Sequence, residues 1–211
     1  GMPAGGHTRS RVRMAVAFLA GMAITAAAVM ALTTSGRGPL ADDDNGATVE
    51  ALEILDASDY DPFGRDGENN RQVGNAFDRD VGTLWHTETY RQEVSFNGKP
   101  GVGMWFEIGA EQPVSTLAID FSDADVRFSV YGADRLPPPT GAESLVDWGT
   151  KIATYTAAAA SDTYSLPEPQ AHQYWLVFLE EIPRDGDGHQ RVGIAEIKFG
   201  GATDAGTEDA G

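Results

Sequence analysis

Cysteine is missing from all 211 residues. That excludes disulfide staples, thiolate metal sites and a cysteine nucleophile. It leaves the compartment open. Acid is missing from the first 41 residues, whose charges are Arg9, Arg11, Arg13 and Arg37. Helical periodicity is nearly absent beyond the amino-terminal stretch: the one helix-like patch, Ala157–Ala160, is too short to count. No His-x-x-x-His pair exists, because the histidines at 7, 86, 172 and 189 are scattered. Ser129 sits in no nucleophile elbow. Paired acids such as Asp123/Asp125 and Glu180/Glu181 are what chance supplies in so acidic a chain. Together these gaps argue for a protein that is not an enzyme.

The charge that is present is very unevenly placed. All 32 acids lie from Asp42 onward, against 11 of the 15 Lys and Arg, a formal balance of −21 for that part. Such a surface repels phosphate backbones, so nucleic acid is not expected as a partner. It tolerates divalent cations well.

Met14 to Leu32 carries no charge and no strong helix breaker. Its length is close to the ~20 residues that a helix needs to cross a bilayer. Arginines precede it and acidic sequence follows, so the amino end is expected inside and the remainder outside. The expected arrangement is a cytoplasmic basic segment (1–13), a transmembrane helix (14–32), a polar linker (33–48), a globular domain (49–200) and an acidic tail (201–211). A signal peptide cut after Val29-Met30-Ala31 is the competing reading. Either reading exports the domain to the cell envelope, single-pass at the membrane in the first case.

Within the domain the apolar period is two. Leu117, Ile119 and Phe121 alternate with Ala118 and Asp120, and Val126, Phe128 and Val130 alternate with Arg127 and Ser129. Met104–Ile108, Lys151–Thr156, Tyr174–Leu179 and Val192–Phe199 read as further strands. Tyr174–Leu179 is apolar on both faces, as a central strand would be. Asn97-Gly98, Pro100-Gly101, Pro137-Pro138-Pro139 and Asp185-Gly186-Asp187-Gly188 supply the turns. Many short strands with such turns predict an all-β sandwich or jelly roll.

Residues 76 to 85, Ala-Phe-Asp-Arg-Asp-Val-Gly-Thr-Leu-Trp, form an oxygen-rich stretch closed by a large apolar anchor. Asp78, Asp80 and Gly82 have the spacing that opens a calcium loop. An EF-hand would need Asp or Asn at 82 and Glu at 89, where this chain has Gly82 and Thr89. A loop completed by a distant strand remains open. Glu196, within Val-Gly-Ile-Ala-Glu-Ile-Lys-Phe, is expected to share a strand face with Val192 and Ile194. A carboxylate buried there must be paired or must ligate a metal. An edge strand with Glu196 in water is the alternative.

These residues resemble a family. Asn75-Ala-Phe-Asp-Arg-Asp-Val-Gly-Thr-Leu-Trp85 is similar to the Asp-Gly-Asn-x-x-Thr-x-Trp signature of discoidin-type domains, also called coagulation-factor type C or galactose-binding-like domains. Met104-Trp-Phe-Glu-Ile-Gly109, Phe128-Ser-Val-Tyr-Gly132 and Ile194-Ala-Glu-Ile-Lys-Phe-Gly200 resemble its later strands, in the right order. The resemblance implies a discoidin-like jelly-roll β-sandwich with a structural calcium ion. Its ligands would be the Asp78 side chain, the Thr83 hydroxyl and carbonyl, Glu196, and carbonyls near Asn75 or Ala76 and at Asp80. Arg79 stands where the family commonly has glycine. A narrower resemblance rests on Asp61–Glu68, Trp85–Tyr90, Lys99–Gly103 and Ile182 to Glu196. It is to the extracytoplasmic domain of actinobacterial MviN/MurJ-like lipid II flippases and kinase-like membrane proteins, and it implies a role in peptidoglycan synthesis.

Discoidin-like domains bind glycans, lipids or proteins at loop tips. The candidate ligand residues are Tyr60, Phe63, His86, Tyr90 and Arg91, because aromatic platforms beside polar groups suit sugar faces. Phe63 and Tyr90 could equally plug the end of the sandwich. Trp85, Trp105 and Trp175 read as core, and Trp148 is undecided. The function expected is membrane-anchored, non-catalytic binding of carbohydrate or cell-wall components. The alternative is a protein-interaction or regulatory tail, contacting an envelope protein, with no glycan site.

Overall fold

The computed structural model describes residues 49–64, 66–92, 94–109, 113–136 and 146–202. The segments expected as cytoplasmic residues, membrane helix and linker lie outside them. Among the described residues no helix is long and apolar enough to cross a membrane.

Ten strands and three short 3-10 turns make up the described chain. In order they are β1 (Val49–Ala51), β2 (Ile54–Tyr60), η1 (Asn70–Ala76), β3 (Trp85–His86), η2 (Ser95–Gly98), β4 (Val102–Ile108), β5 (Val114–Phe121), β6 (Val126–Ala133), η3 (Val146–Trp148), β7 (Thr150–Ala157), β8 (Ser161–Gln170), β9 (Tyr174–Glu181) and β10 (Gly193–Ala202). They form two antiparallel sheets. One runs β1-β10-β5-β8, with β3 also paired to β10; the other runs β2-β4-β9-β6-β7. The all-β sandwich expected from the alternating pattern is therefore present.

Alternation decides which side chains go inside. On β4, Val102, Met104, Phe106 and Ile108 are buried in the main core, while Trp105 and Glu107 between them are half-buried. Leu117, Ile119 and Phe121 of β5 meet them from the other sheet, with Trp175, Val177 and Leu179 of β9 beside them. Fully burying side chains of this size is worth about 1.5–3 kcal/mol each. The central strand β9 is apolar on both faces for two separate reasons. Leu176 and Phe178 point away from the main core, into a second cluster with Tyr60, Tyr131, Ala133 and Trp148.

Several elements depart from the sequence expectation, β1 and β2 among them, since neither was expected as a strand. The polar strand β8 contains Pro167 and Pro169 and lies at a sheet edge, where a missing N–H leaves no ladder bond unmade. The alanine patch is a hairpin: Ala157 ends β7 and β8 starts at Ser161. Gly201 and Ala202, expected in the tail, continue β10 and pair with β1. Along β10 the face assignment changes partway. The register shifts between Ile194 and Glu196, so Val192, Ile194, Ile197 and Phe199 all reach the core. Glu196 thus does not share a face with Val192 and Ile194; one extra residue has turned it to the other side.

Candidate functional site

Two regions hold residues singled out in the sequence: a loop with most of the expected cation ligands, and a cleft that takes in Tyr90 alone of the expected ligand residues. The first is the loop from Asp78 to Thr83. Its base is closed by Asn75, whose side-chain amide donates to the Leu84 carbonyl at 3.0 Å. Asp78 accepts from the Asp80 N–H at 2.8 Å and, through its other oxygen, from the Thr83 hydroxyl at 2.7 Å. The Asp80 carbonyl accepts from the Thr83 N–H, and its carboxylate from the Gly82 N–H at 2.9 Å. These are aspartate turns, in which short acidic side chains satisfy the backbone of their own loop. Arg79 has φ +68, in the left-handed region, where a side chain costs energy that glycine would not.

Glu196 lies against this loop and not in open water. It is 4% exposed, and one of its oxygens, Oε2, is buried with no hydrogen-bond partner. Burial raises its pKa, while Lys198 and the Arg79 N–H favour the charged form. The negative charges of Asp78 and Asp120 raise it further. Two acids of the expected set are therefore near enough to repel one another. Ala76, whose neighbourhood was expected to lend a carbonyl, is fully buried.

Among the described residues no three or more His, Asp or Glu side chains converge as a metal cluster. A cation here would draw on Asp78 and Glu196, the Thr83 hydroxyl, and carbonyls at Asp80 and near Ala76. All of these are oxygens, the donors that calcium takes. The orphaned Glu196 oxygen and the repulsion with Asp78 fit such an ion, since both would be relieved by positive charge.

The second region is a cleft of about 350 Å³ at one end of the sandwich, lined by Gly64, Asp66, Glu68, Glu88, Thr89, Tyr90, Phe96, Asn97 and Lys99. Its floor is organised by Glu68, which is completely buried. One Glu68 oxygen accepts from the Tyr90 hydroxyl and from Lys99 Nζ at 3.1 Å; the other accepts from the Glu88 N–H at 2.6 Å. The Glu68 backbone is held as well. Its N–H donates to Asp59 and its carbonyl accepts from the Trp85 indole, both at 2.6 Å. One residue thus ties together the loop after β2, the segment after β3 and the turn before β4.

Burial pushes the Glu68 carboxyl above its ordinary value, and its hydrogen bonds only partly offset this. Burial, together with the Glu68 charge, pushes the Tyr90 phenol far above its usual range. Lys99 is the converse case. Burial alone would lower it, but Asp61 at 2.8 Å and Glu68 hold its ammonium in the charged form and raise it. The ammonium also lies 5.0 Å from the centre of the Tyr90 ring. Two neighbouring residues of the η2 turn, Phe96 and Asn97, have φ +50 and +56. Bulky residues are rarely left-handed, and such strain collects at functional sites.

The expected ligand residues divide. Tyr90 lines the cleft, but its ring is 3% exposed and stands edge-on to Phe96, with centroids 5.1 Å apart. Tyr60 is the last residue of β2 and not a loop residue; it is buried against Trp148 and Phe178. Phe63 is half-buried and packs on Phe178, next to Gly64 of the cleft wall. His86 is half-buried on β3, opposite Gly193 of β10, and burial together with Arg191 lowers its pKa. Arg91 is exposed, one residue past the cleft. Trp85, Trp148 and Trp175 are all buried. The structure adds three residues the sequence reading did not single out: Glu68, Lys99 and Asp61. They lie in two segments that carry the narrower resemblance, Asp61–Glu68 and Lys99–Gly103, which gave none of them a role. The lysine that joins the two acids lies 31 residues beyond Glu68.

No family model and no curated protein matches the chain. Solved structures are similar to it. One is the CBM32 module of AlyQ in complex with 4,5-unsaturated mannuronic acid, at 14% identity, covering 71% of this chain and 97% of that one, with a TM-score of 0.47. Another is the family 32 CBM from C. perfringens NanJ in complex with galactose, at 16% identity, covering 69% and 92%, with a TM-score of 0.44. A third is a truncated AlyQ with CBM32 and alginate lyase domains, at 14% identity, covering 74% of this chain and 34% of that one, with a TM-score of 0.49. The present chain thus spans about a third of that two-domain protein. Carbohydrate-binding modules of this family have the discoidin, galactose-binding-like fold, the group that the motifs of this chain resemble. None of these three is an MviN/MurJ-like membrane protein.

Proposed function

We infer that the domain is a non-catalytic module that binds carbohydrate in the cleft floored by Glu68, Tyr90 and Lys99. The observation that carries this is the cleft itself. It is small, lies at a loop-built end of a rigid sandwich, and is lined by a hydroxyl, an amide, carboxylates and an ammonium. Such a lining suits a ligand rich in hydroxyl groups, which needs donors and acceptors at fixed places. Glu68 is held from three sides, so the floor is set before any ligand arrives.

Several features favour binding over turnover. Glycoside hydrolysis needs two carboxylates flanking one bond. Here Glu68 is engaged by three donors, and Asp66 and Glu88 lie on the exposed rim. Ser129 has no histidine partner; its hydroxyl is bonded to Glu180 and Thr154.

In the same reading, a calcium ion pins the Asp78–Thr83 loop to β10 through Glu196. The apolar stretch 14–32 anchors the protein, and the domain works outside the membrane on cell-wall glycan. Calcium is structural here; it stabilises the loop and takes no part in chemistry.

The test is a binding screen of the full chain against neutral glycans and muropeptides, repeated with Thr89→Ala and Asn97→Ala. Binding that weakens in both variants supports the cleft as the site. Binding that ignores both places the ligand elsewhere, and no binding to any glycan removes the carbohydrate reading.

A further inference from the structure

The following rests on the cleft being the saccharide site and concerns which saccharides it takes. Among the described residues the charges around the cleft do not balance. Lys99 is the one ammonium among its described lining residues, and it is shared between Asp61 and Glu68. On the rim, Asp66 and Glu88 are exposed, and neither carboxylate has an ion-pair partner among the described residues.

Behind the wall there is a further unmet acceptor. The Asp61 side chain is 1% exposed, and its Oδ1 is buried without a hydrogen-bond partner. Its carboxylate lies directly against Gly64 of the wall. A Cβ added at Gly64 would stand 1.7 Å from Oδ2 and 2.9 Å from Oδ1. No other residue fits at 64 without displacing that carboxylate, so the negative charge is built into the wall.

Among the described residues, four carboxylates therefore face or back the cleft against a single ammonium, Lys99. In a recess partly shielded from water, such an excess attracts a cationic group and repels an anionic one more than it would on an open surface. Neutral sugars meet no such bias.

We propose that the cleft prefers saccharides bearing a free amine to their N-acetylated forms and disfavours uronates, with Asp66 and Glu88 as the specificity-determining carboxylates. The amine would sit at the rim, between these two groups. Lys99, already held by Asp61 and Glu68, orients the floor and does not compete for the ligand's charge.

Titration calorimetry of the full chain tests this with the trimers of glucosamine, N-acetylglucosamine and galacturonic acid, at about pH 6, where amines are protonated. The glucosamine trimer is expected to bind about fivefold more tightly than the acetylated one, the upper range for an exposed ion pair. The galacturonic acid trimer is expected to bind most weakly, and high salt should shrink both differences. In Asp66→Asn/Glu88→Gln the ratio of the first two should fall to within about twofold. Both positions are exposed, so the variant is expected to melt like the wild type. A uronate bound as tightly as the amine, or an amine preference that survives the double variant, overturns the proposal and leaves carbohydrate binding standing. Failure of all three trimers and of every neutral glycan overturns both.

Discussion

Glu68 and Glu196 are both buried glutamates, at 0% and 4% exposure, and burial raises the pKa of each. Their surroundings differ in kind. Glu68 has three donors: the Glu88 N–H on one oxygen, and the Tyr90 hydroxyl and the Lys99 ammonium at 3.1 Å on the other. Glu196 has one orphaned oxygen and two acids that push against its charge. The first has donors on both oxygens within the chain; the second has Lys198 and the Arg79 N–H in its favour but leaves Oε2 without a donor. Burial alone therefore does not identify a metal ligand. What separates a structural carboxylate from a candidate ligand is whether its acceptor capacity has been met.

The largest effect expected from this contrast is at Glu68. Glu68→Ala leaves Lys99, the Tyr90 hydroxyl and the Glu88 N–H without their acceptor. Removing one partner of a buried pair costs about 3–5 kcal/mol. Urea unfolding should show it as a lower midpoint, and a loss below about 1 kcal/mol would mean that the cleft floor does not depend on this residue.

Next comes calcium. Wild-type protein should gain about 2.7 kcal/mol of stability at a calcium concentration 100-fold above the dissociation constant. Glu196→Ala should gain none. In chelator, Glu196→Gln should be as stable as the wild type or more so, because it removes a charge that Asp78 and Asp120 repel. Identical wild-type melting curves with calcium and with chelator would take the ion out of the account and leave Glu196 an unexplained cost.

The smallest effect is at Arg79, on the loop that covers Glu196. Arg79→Gly relieves the positive φ and should stabilise the loop by about 1 kcal/mol. Thermal melting without calcium measures it. A loss of stability instead would show that the arginine side chain holds the loop by contacts that outweigh the strain.

The sandwich was legible wherever burial is one-sided. Leu117, Ile119 and Phe121 announce β5 because each alternate residue must enter the core. β8 was not legible. Its prolines forbid a central place, and they say nothing against an edge. The bulge beside Glu196 was equally hidden, because one extra residue reverses a face without changing composition. Of the two candidate sites, the Asp78–Thr83 loop could be read because its contacts are local. The cleft could not, since Glu68 gains its partners from residues 20 to 31 positions away, at a spacing with no periodic signature. The aromatic residues chosen as platforms show the same limit. Tyr60 and Tyr90 are adjacent to loops in sequence, yet tertiary packing covers both rings.

One feature of β10 bears on how the domain presents itself. Val49 lies opposite Ala202, so the polypeptide enters and leaves the sandwich side by side. Just before the other end of that ten-residue strand, Gln190 bridges to Tyr90 in the cleft. The strand is about 30 Å long. The saccharide site proposed above therefore lies toward the pole of the sandwich opposite Val49 and Ala202.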